Sequence, residues 1–282
     1  MQEAAAQNNV QNNVQDNVFA ANRSAGRIAL SVAAQSGVTR RRQVYEDGPL
    51  RVRFPNASGS ALEAMIVNTA GGIAGGDRHD LDIGVGEGAT LGVTTAAAEK
   101  VYRALGPGAE IAVKLAVGAG ARLTWLPQET ILFDRARLTR RIEVELAPDA
   151  TLLMAEAVVF GRSAMGEAVT EGAFTDRWRV RRDGRLLFAE TVRLDGAIAR
   201  MLAEPAVAGG GVAIATVLAV PGDLAMAERV RAQTFCGEVG ISAWNGFAVG
   251  RFCAKDAAAL RGDVMKVLAQ IDAKALPRLW LN

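Results

Sequence analysis

The chain has 282 residues, 32 of them Lys or Arg and 30 Asp or Glu, and its formal charge of +2 is too balanced for a nucleic-acid surface. Half of the residues are hydrophobic and mean hydropathy is positive at +0.14, yet no apolar run approaches the ~18 residues of a membrane span. Such a composition fits either a large alanine-rich core or an apolar surface kept for a partner.

Residues 1–22 are dominated by Gln, Asn and Ala without apolar periodicity. A polar tract of this kind cannot repay its ordering entropy, so it reads as a disordered tail ahead of a single β domain over 23–282. Arg40, Arg41 and Arg42 form the one tight basic run and read as a solvated face. In the middle of the chain, Leu81, Ile83 and Val85, then Ile111, Val113 and Leu115, then Ile142, Val144 and Leu146 alternate with small or polar residues. Each set is a strand with one buried face. A turn follows each, and second strands open at Leu91, Leu123 and Leu152. The first strands start 30 and 31 residues apart. That period predicts either stacked β-layers, as in a β-helix, or three ordinary sandwich hairpins.

Farther on, Asp183-Gly184 between two strand-like runs predicts a two-residue hairpin, with Trp178 and Val180 sharing a face with Leu187 and Ala189, and Arg177 opposite Glu190. Leu224, Ala227 and Val230, after Pro221-Gly222-Asp223, and Leu260, Val264, Leu268 and Ile271 have helical spacing. They predict two late helices packed on the sheet, and hence a mainly β fold. Cys236 and Cys253 match no zinc spacing or disulfide framework, and no secretory signal is visible. The expectation is reduced, buried thiols in a cytoplasmic protein.

The single histidine, His79, closes off most triad chemistry and any multi-histidine metal centre. The string Asn68-Thr69-Ala70-Gly71-Gly72-Ile73-Ala74-Gly75-Gly76-Asp77-Arg78 runs into a strand and lacks a P-loop ending, so it is no nucleotide fingerprint. It suits a tight inter-strand loop or the close approach of another chain. Glu99, Glu129 and Glu156 fall at similar places in successive repeats, each shortly before an aromatic residue. In stacked layers they could line an edge or an interior path, while each taken alone reads as a salt-bridged surface acid. Oxygen ligands without His or Cys would hold a divalent transition metal loosely, which suits transit.

The glycine-rich string resembles the signature loop of the UreD (UreH) urease accessory family. Further blocks resemble the family in order and spacing: Tyr45–Val52, Thr94–Arg103, Trp125–Asp134, and Phe160-Gly161-Arg162 followed by Gly166-Glu167. Glu99 stands where threonine is common in the family, and Thr69 where proline is. The resemblance implies a β-helix-like architecture and a non-catalytic scaffold or metallochaperone. Its implied partners are UreF- and UreG-type accessory proteins and the urease apoenzyme, with no nucleic acid and no membrane. Nickel would be carried in transit rather than bound stably. Carried onto this chain, the implied transient path residues are Asp77, Thr94, Thr95, Glu99, Glu129, Asp134 and Glu167. The implied motif-loop and partner-binding positions are Asn68, Gly71, Gly72, Gly75, Gly76, Asp77, Arg78, Lys100, Tyr102 and Arg103. The alternative reading is a β-solenoid carbohydrate-active enzyme or ligand-binding module, since paired acids serve glycoside chemistry. An aromatic content of 5 % weighs against that alternative, because sugar clefts use aromatic platforms.

Overall fold

In this computed structural model the described residues are 23–281 apart from 56–58, 163–164 and 274–275, and the Asn/Gln-rich tail lies outside them. The chain enters through β1 (Ala25–Gln35), β2 (Val38–Asp47), β3 (Leu50–Arg53) and β4 (Leu62–Asn68). The repeats follow as β5 (Arg78–Val85), β6 (Thr90–Thr95) and β7 (Glu99–Val101), then β8 (Ala109–Val117), β9 (Arg122–Trp125) and β10 (Thr130–Leu132). Next come β11 (Arg137–Leu146), β12 (Thr151–Phe160), β13 (Gly172–Arg182), β14 (Arg185–Gly196) and helix α1 (Ile198–Ala203). The last part holds β15 (Ala213–Val220), α2 (Leu224–Arg231), β16 (Glu238–Trp244), β17 (Phe247–Ala254) and α3 (Ala257–Ile271).

Strands of successive repeats alternate between two sheets. One runs β14-β13-β11-β8-β5-β1-β2, the other β16-β17-β15-β12-β9-β6-β4-β3, with β7 and β10 pairing beside β12. The ladders β5·β8·β11·β13 and β4·β6·β9·β12 are parallel. Hairpins would have given antiparallel neighbours, so the repeat is a stack of coils, as in a β-solenoid. Leu91, Leu123 and Leu152 sit in one register, as their spacing predicts. In the first strands Val113, rather than Ile111, lies beside Leu81 and Ile142. The offset is one full pleat, so the buried face is unchanged.

Between the sheets an apolar cluster includes Ile83, Leu115, Val144 and Val180 from one sheet and Leu91, Leu123 and Leu152 from the other. A second cluster, with Val101, Leu132, Phe160 and Phe174, fills the far side of the interior. A third lies where Val264, Val267 and Leu268 of α3 cover β15 and β17, with Asp256 capping that helix on Ala259 N. Leu224 projects into solvent, and only Ala227 and Val230 of α2 are buried. Helix α1, which the periodicity did not predict, buries Ile198 and Leu202. Its six residues are too few to show a helical stripe.

The hairpin forms at Asp183-Gly184, both at positive φ (+52° and +69°), as a two-residue primed turn requires. A register shift between Val180 and Arg181 then corrects the predicted pairing: Glu190 lies opposite Trp178, and Thr191 opposite Arg177. Because facing residues share a side, that bulge turns Glu190 from the solvent face to the interior. Phe188, not Ala189, joins the core. Cys253 is half-buried, and Cys236 is exposed rather than buried.

Candidate functional site: an interior polar layer

Three strands carry a charged residue in phase with their buried apolar ones. In β11, Arg140 stands between Leu138 and Ile142; in β13, Asp176 between Phe174 and Trp178; in β12, Glu156 between Met154 and Val158. In each case the flanking residues belong to the two different interior clusters, so the charges lie in a layer between them. Arg140 and Asp176 are register partners in one sheet, alongside Ile111 and His79. On the facing sheet Glu156 pairs with Thr216, and Thr216 with Arg251. Glu99, Thr130 and Val158 form the short third ladder, one pleat beyond Glu156.

Arg140 is 4 % exposed and engaged through all three of its guanidinium nitrogens. Its Nε donates to Asp176 Oδ1 at 3.0 Å and its Nη2 to Asp176 Oδ2 at 2.5 Å. Its Nη1 donates to Thr130 Oγ1 at 3.3 Å and, in a very short contact, to Glu156 Oε2. Trp125 Nε1 donates to the other Glu156 oxygen at 2.8 Å. The network therefore ties β11 and β13 of one sheet to β9 and β12 of the other. Burial pushes the Glu156 carboxyl up to about 7, although Arg140 opposes the shift. Burial works against the Arg140 cation too, but Asp176 and Glu156 hold it above its ordinary value.

Toward the glycine-rich loop, burial raises Glu99 to about 7, opposed by the hydrogen bond from Asn68 Nδ2 at 3.1 Å. His79 is 4 % exposed, its Nε2 has no partner, and burial lowers its pKa against the pull of Asp77 and Asp80. At neutral pH that ring is an uncharged donor or acceptor. At the other end, Glu190 accepts from Arg251 Nη1 at 2.7 Å, and the same nitrogen donates to Thr216 Oγ1 at 3.0 Å. Burial raises Glu190 as well. A cavity of about 550 Å³ opens there, its inner wall including Glu156 and Asp176.

The residues singled out by the resemblance occupy several places. Glu99 alone among the carboxylates lies in the layer's third ladder. Thr94 is fully buried and its hydroxyl lacks a partner, while Thr95 Oγ1 accepts from Gln128 N and donates to Ala97 O. Glu129 pairs with Arg261 of α3 at 2.9 Å. Asp77 is buried, accepting from Ser24 N at 2.8 Å and Ala74 N at 2.7 Å. It thus closes the loop on itself and on the chain entry. Asp134 accepts from Thr170 N, Thr170 Oγ1 and Glu171 N; burial pushes its carboxyl up, but these bonds outweigh it and hold it low. Glu167 is held low by Arg162, 2.6 Å away.

At the loop, Asn68 Nδ2 also donates to Gly72 O, and Tyr102 Oη donates to Gly71 O at 2.9 Å. A Cβ on Gly72 would meet the Tyr102 ring at 2.4 Å, so only glycine admits this packing. Tyr102 stands edge-on to Phe133, whose other contact is the Arg162 guanidinium, 4.2 Å from the ring centre. Lys100 and Arg103 are exposed beside it and Arg78 is exposed at the start of β5, next to Ala25 and Glu110, whereas Gly75 packs inside the loop against Ala104 and Pro107. Sequence reasoning missed Arg140, Asp176, Thr130, Glu190 and Arg251. The first two carry a usable signal, a charge in phase with apolar neighbours.

Among the described residues no group of three or more His, Cys, Asp or Glu is gathered so that it could hold a metal ion. Glu156 and Asp176 share Arg140 and Glu190 pairs with Arg251, whereas Glu99 accepts from the neutral Asn68 amide. No helix of the described residues is long and apolar enough to cross a membrane.

The family model for the UreD urease accessory protein matches residues 24–281. A urease accessory protein UreD of Rhodopseudomonas palustris strain BisA53 is 62 % identical over 266 residues, covering 94 % of this chain and 93 % of the relative. One of Bradyrhizobium diazoefficiens is 60 % identical, covering 94 % and 96 %. A protein named urease accessory protein UreD 3, from a Bradyrhizobium species, is 59 % identical with the same coverage.

Proposed function

Because the chain belongs to the UreD urease accessory family, we propose that it is a non-catalytic cytoplasmic scaffold through which nickel passes on its way into the urease active site. The observation that carries this reading is the polar layer, which runs between two apolar clusters from Glu99 to the cavity at Glu190 and Arg251. A purely structural core has no need of so many interior acids, since each costs desolvation energy. As cargo, Ni²⁺ would be met by carboxylate and hydroxyl oxygens and by water, a hard set that binds it loosely enough to release. Glu99 and Glu156, with pKa values near 7, can exchange a proton for a cation at physiological pH. Thr94, Thr95 and His79 are further candidates for contact. Asp77, Glu129, Asp134 and Glu167 would hold loops and the α3 docking in place. In this reading UreF- and UreG-type proteins and the urease apoenzyme are the partners, with the Tyr102, Lys100 and Arg103 face of the loop meeting one of them.

A strain lacking this chain tests the proposal. Urease there should be assembled but nickel-poor and inactive, and the full chain should restore both properties while hydrolysing no urea itself. Equal nickel content and activity with and without the chain would overturn the reading.

A further inference from the structure

At the end of the stack the two sheets part, and β14 and β16 are their terminal strands. The cavity of about 550 Å³ lies between them. Its side walls are apolar, with Phe174, Val192 and Leu194 from one sheet and Ile214 and Phe252 from the other. Its charged groups are the four carboxyls Glu156, Asp176, Glu190 and Glu238, against Arg251 in the lining and Arg140 behind it. Lys255, just past the end of β17, is committed to Gly209 O at 2.8 Å. Glu156 and Asp176 already engage Arg140, and Glu190 engages Arg251, so among the described residues Glu238 is the acid of the lining without an ion pair, in a half-enclosed apolar space where an added cation is favoured more than on an open surface. The lip is apolar at Val207, which is 50 % exposed, while exposed Leu186 and Trp244 lie farther off, at the turn ends of β14 and β16. Trp244 begins a chain of aromatic contacts through Phe247 and Phe188 to Trp178, which itself lines the cavity.

We propose that this cleft is a docking site for a partner protein, and that it takes a Lys or Arg side chain whose stem lies along the apolar walls and whose head reaches Glu190 and Glu238. Charge complementarity selects a cationic head, and the exposed Val207 at the lip selects an apolar residue beside it. The inference rests on the proposed scaffold role, because it makes this partner the cover over one mouth of the polar layer.

The test uses the full chain, kept in solution by a cleavable tag, and two probes of equal shape: n-butylguanidinium and its uncharged analogue n-butylurea. Saturable binding of the cation only is expected, weakened at least tenfold in Glu190→Gln/Glu238→Gln and lost in Val207→Trp, which fills the lip without changing charge. Equal binding of both probes, or of neither, would overturn the site. In the second arm, Val207→Trp and the double variant are purified from cells making urease and its accessory proteins. Loss of one defined partner from the assembly supports the protein occupant. Full assembly despite lost probe binding would overturn it in favour of a free organic cation. Failure of the scaffold role itself would show separately, as normal nickel loading of urease in cells without the chain.

Discussion

Arg140 is where the interior costs most. A buried guanidinium bridging two carboxylates contributes little net stability over a well-packed apolar trio, but removing one member leaves uncompensated charge. Arg140→Met should therefore destabilise the fold by about 3–5 kcal/mol, read as a lower denaturant midpoint. Replacing the trio together, as Arg140→Met/Glu156→Leu/Asp176→Leu, should recover much of that loss while urease activation stays low. Recovery of activation along with stability would mean that the network only holds the sheets together. Glu99 makes a second prediction. The unfolded chain gives up this proton near 4.5 and the folded chain near 7. Between those values the folded state binds more protons, so stability falls as pH rises. Glu99→Gln should accordingly be more stable than the parent at pH 8 and lose that advantage by about pH 4.5, in urea titrations at the two pH values.

At the scale of elements, much was legible because the period-2 pattern is strong where one face is buried. Leu91, Leu123 and Leu152 fixed the second strand of each coil in its true register. Three things were hidden. The bulge between Val180 and Arg181 leaves no mark in composition, yet it decides that Glu190 faces inward. Helix α1 is too short for a periodic signal. Arg140 and Asp176 were readable as charges in phase with apolar residues, but only the stacking brings them onto Glu156 from the facing sheet. The carboxylates picked out by family resemblance are scattered by the same stacking, with Glu129 turned outward to Arg261 and Asp134 tied to Thr170. Helix caps give a check at this scale. Asp256 accepts from Ala259 N, so Asp256→Ala should cost about 1 kcal/mol, without the loss of urease activation expected of layer variants. A much larger loss would mean that α3 carries more of the fold than its packing indicates.

Across the whole molecule, the solenoid solves a particular problem. Stacked coils repeat each layer at the strand spacing of about 4.8 Å, so one polar position per coil makes a continuous seam without breaking the apolar clusters on either side. The seam begins near a glycine-rich loop that only glycine lets pack on Tyr102 and ends at an open, apolar-rimmed cleft. Both ends suit contact with other chains.

If nickel travels through the interior layer, the nickel content of urease matured with altered chains will follow the layer's acids. Glu99→Gln and Glu156→Gln alter the layer, while Glu129→Gln and Glu167→Gln alter acids outside it. Nickel per urease active site would be measured by mass spectrometry, with assembly checked by pull-down in the same cells. The two inner variants should deliver several-fold less nickel per assembled complex, Glu156→Gln being also less stable because Arg140 keeps only Asp176, and the two outer variants should deliver it as the parent does. Full loading by the inner variants would contradict that route, leaving the chain as a scaffold whose interior carries no cargo.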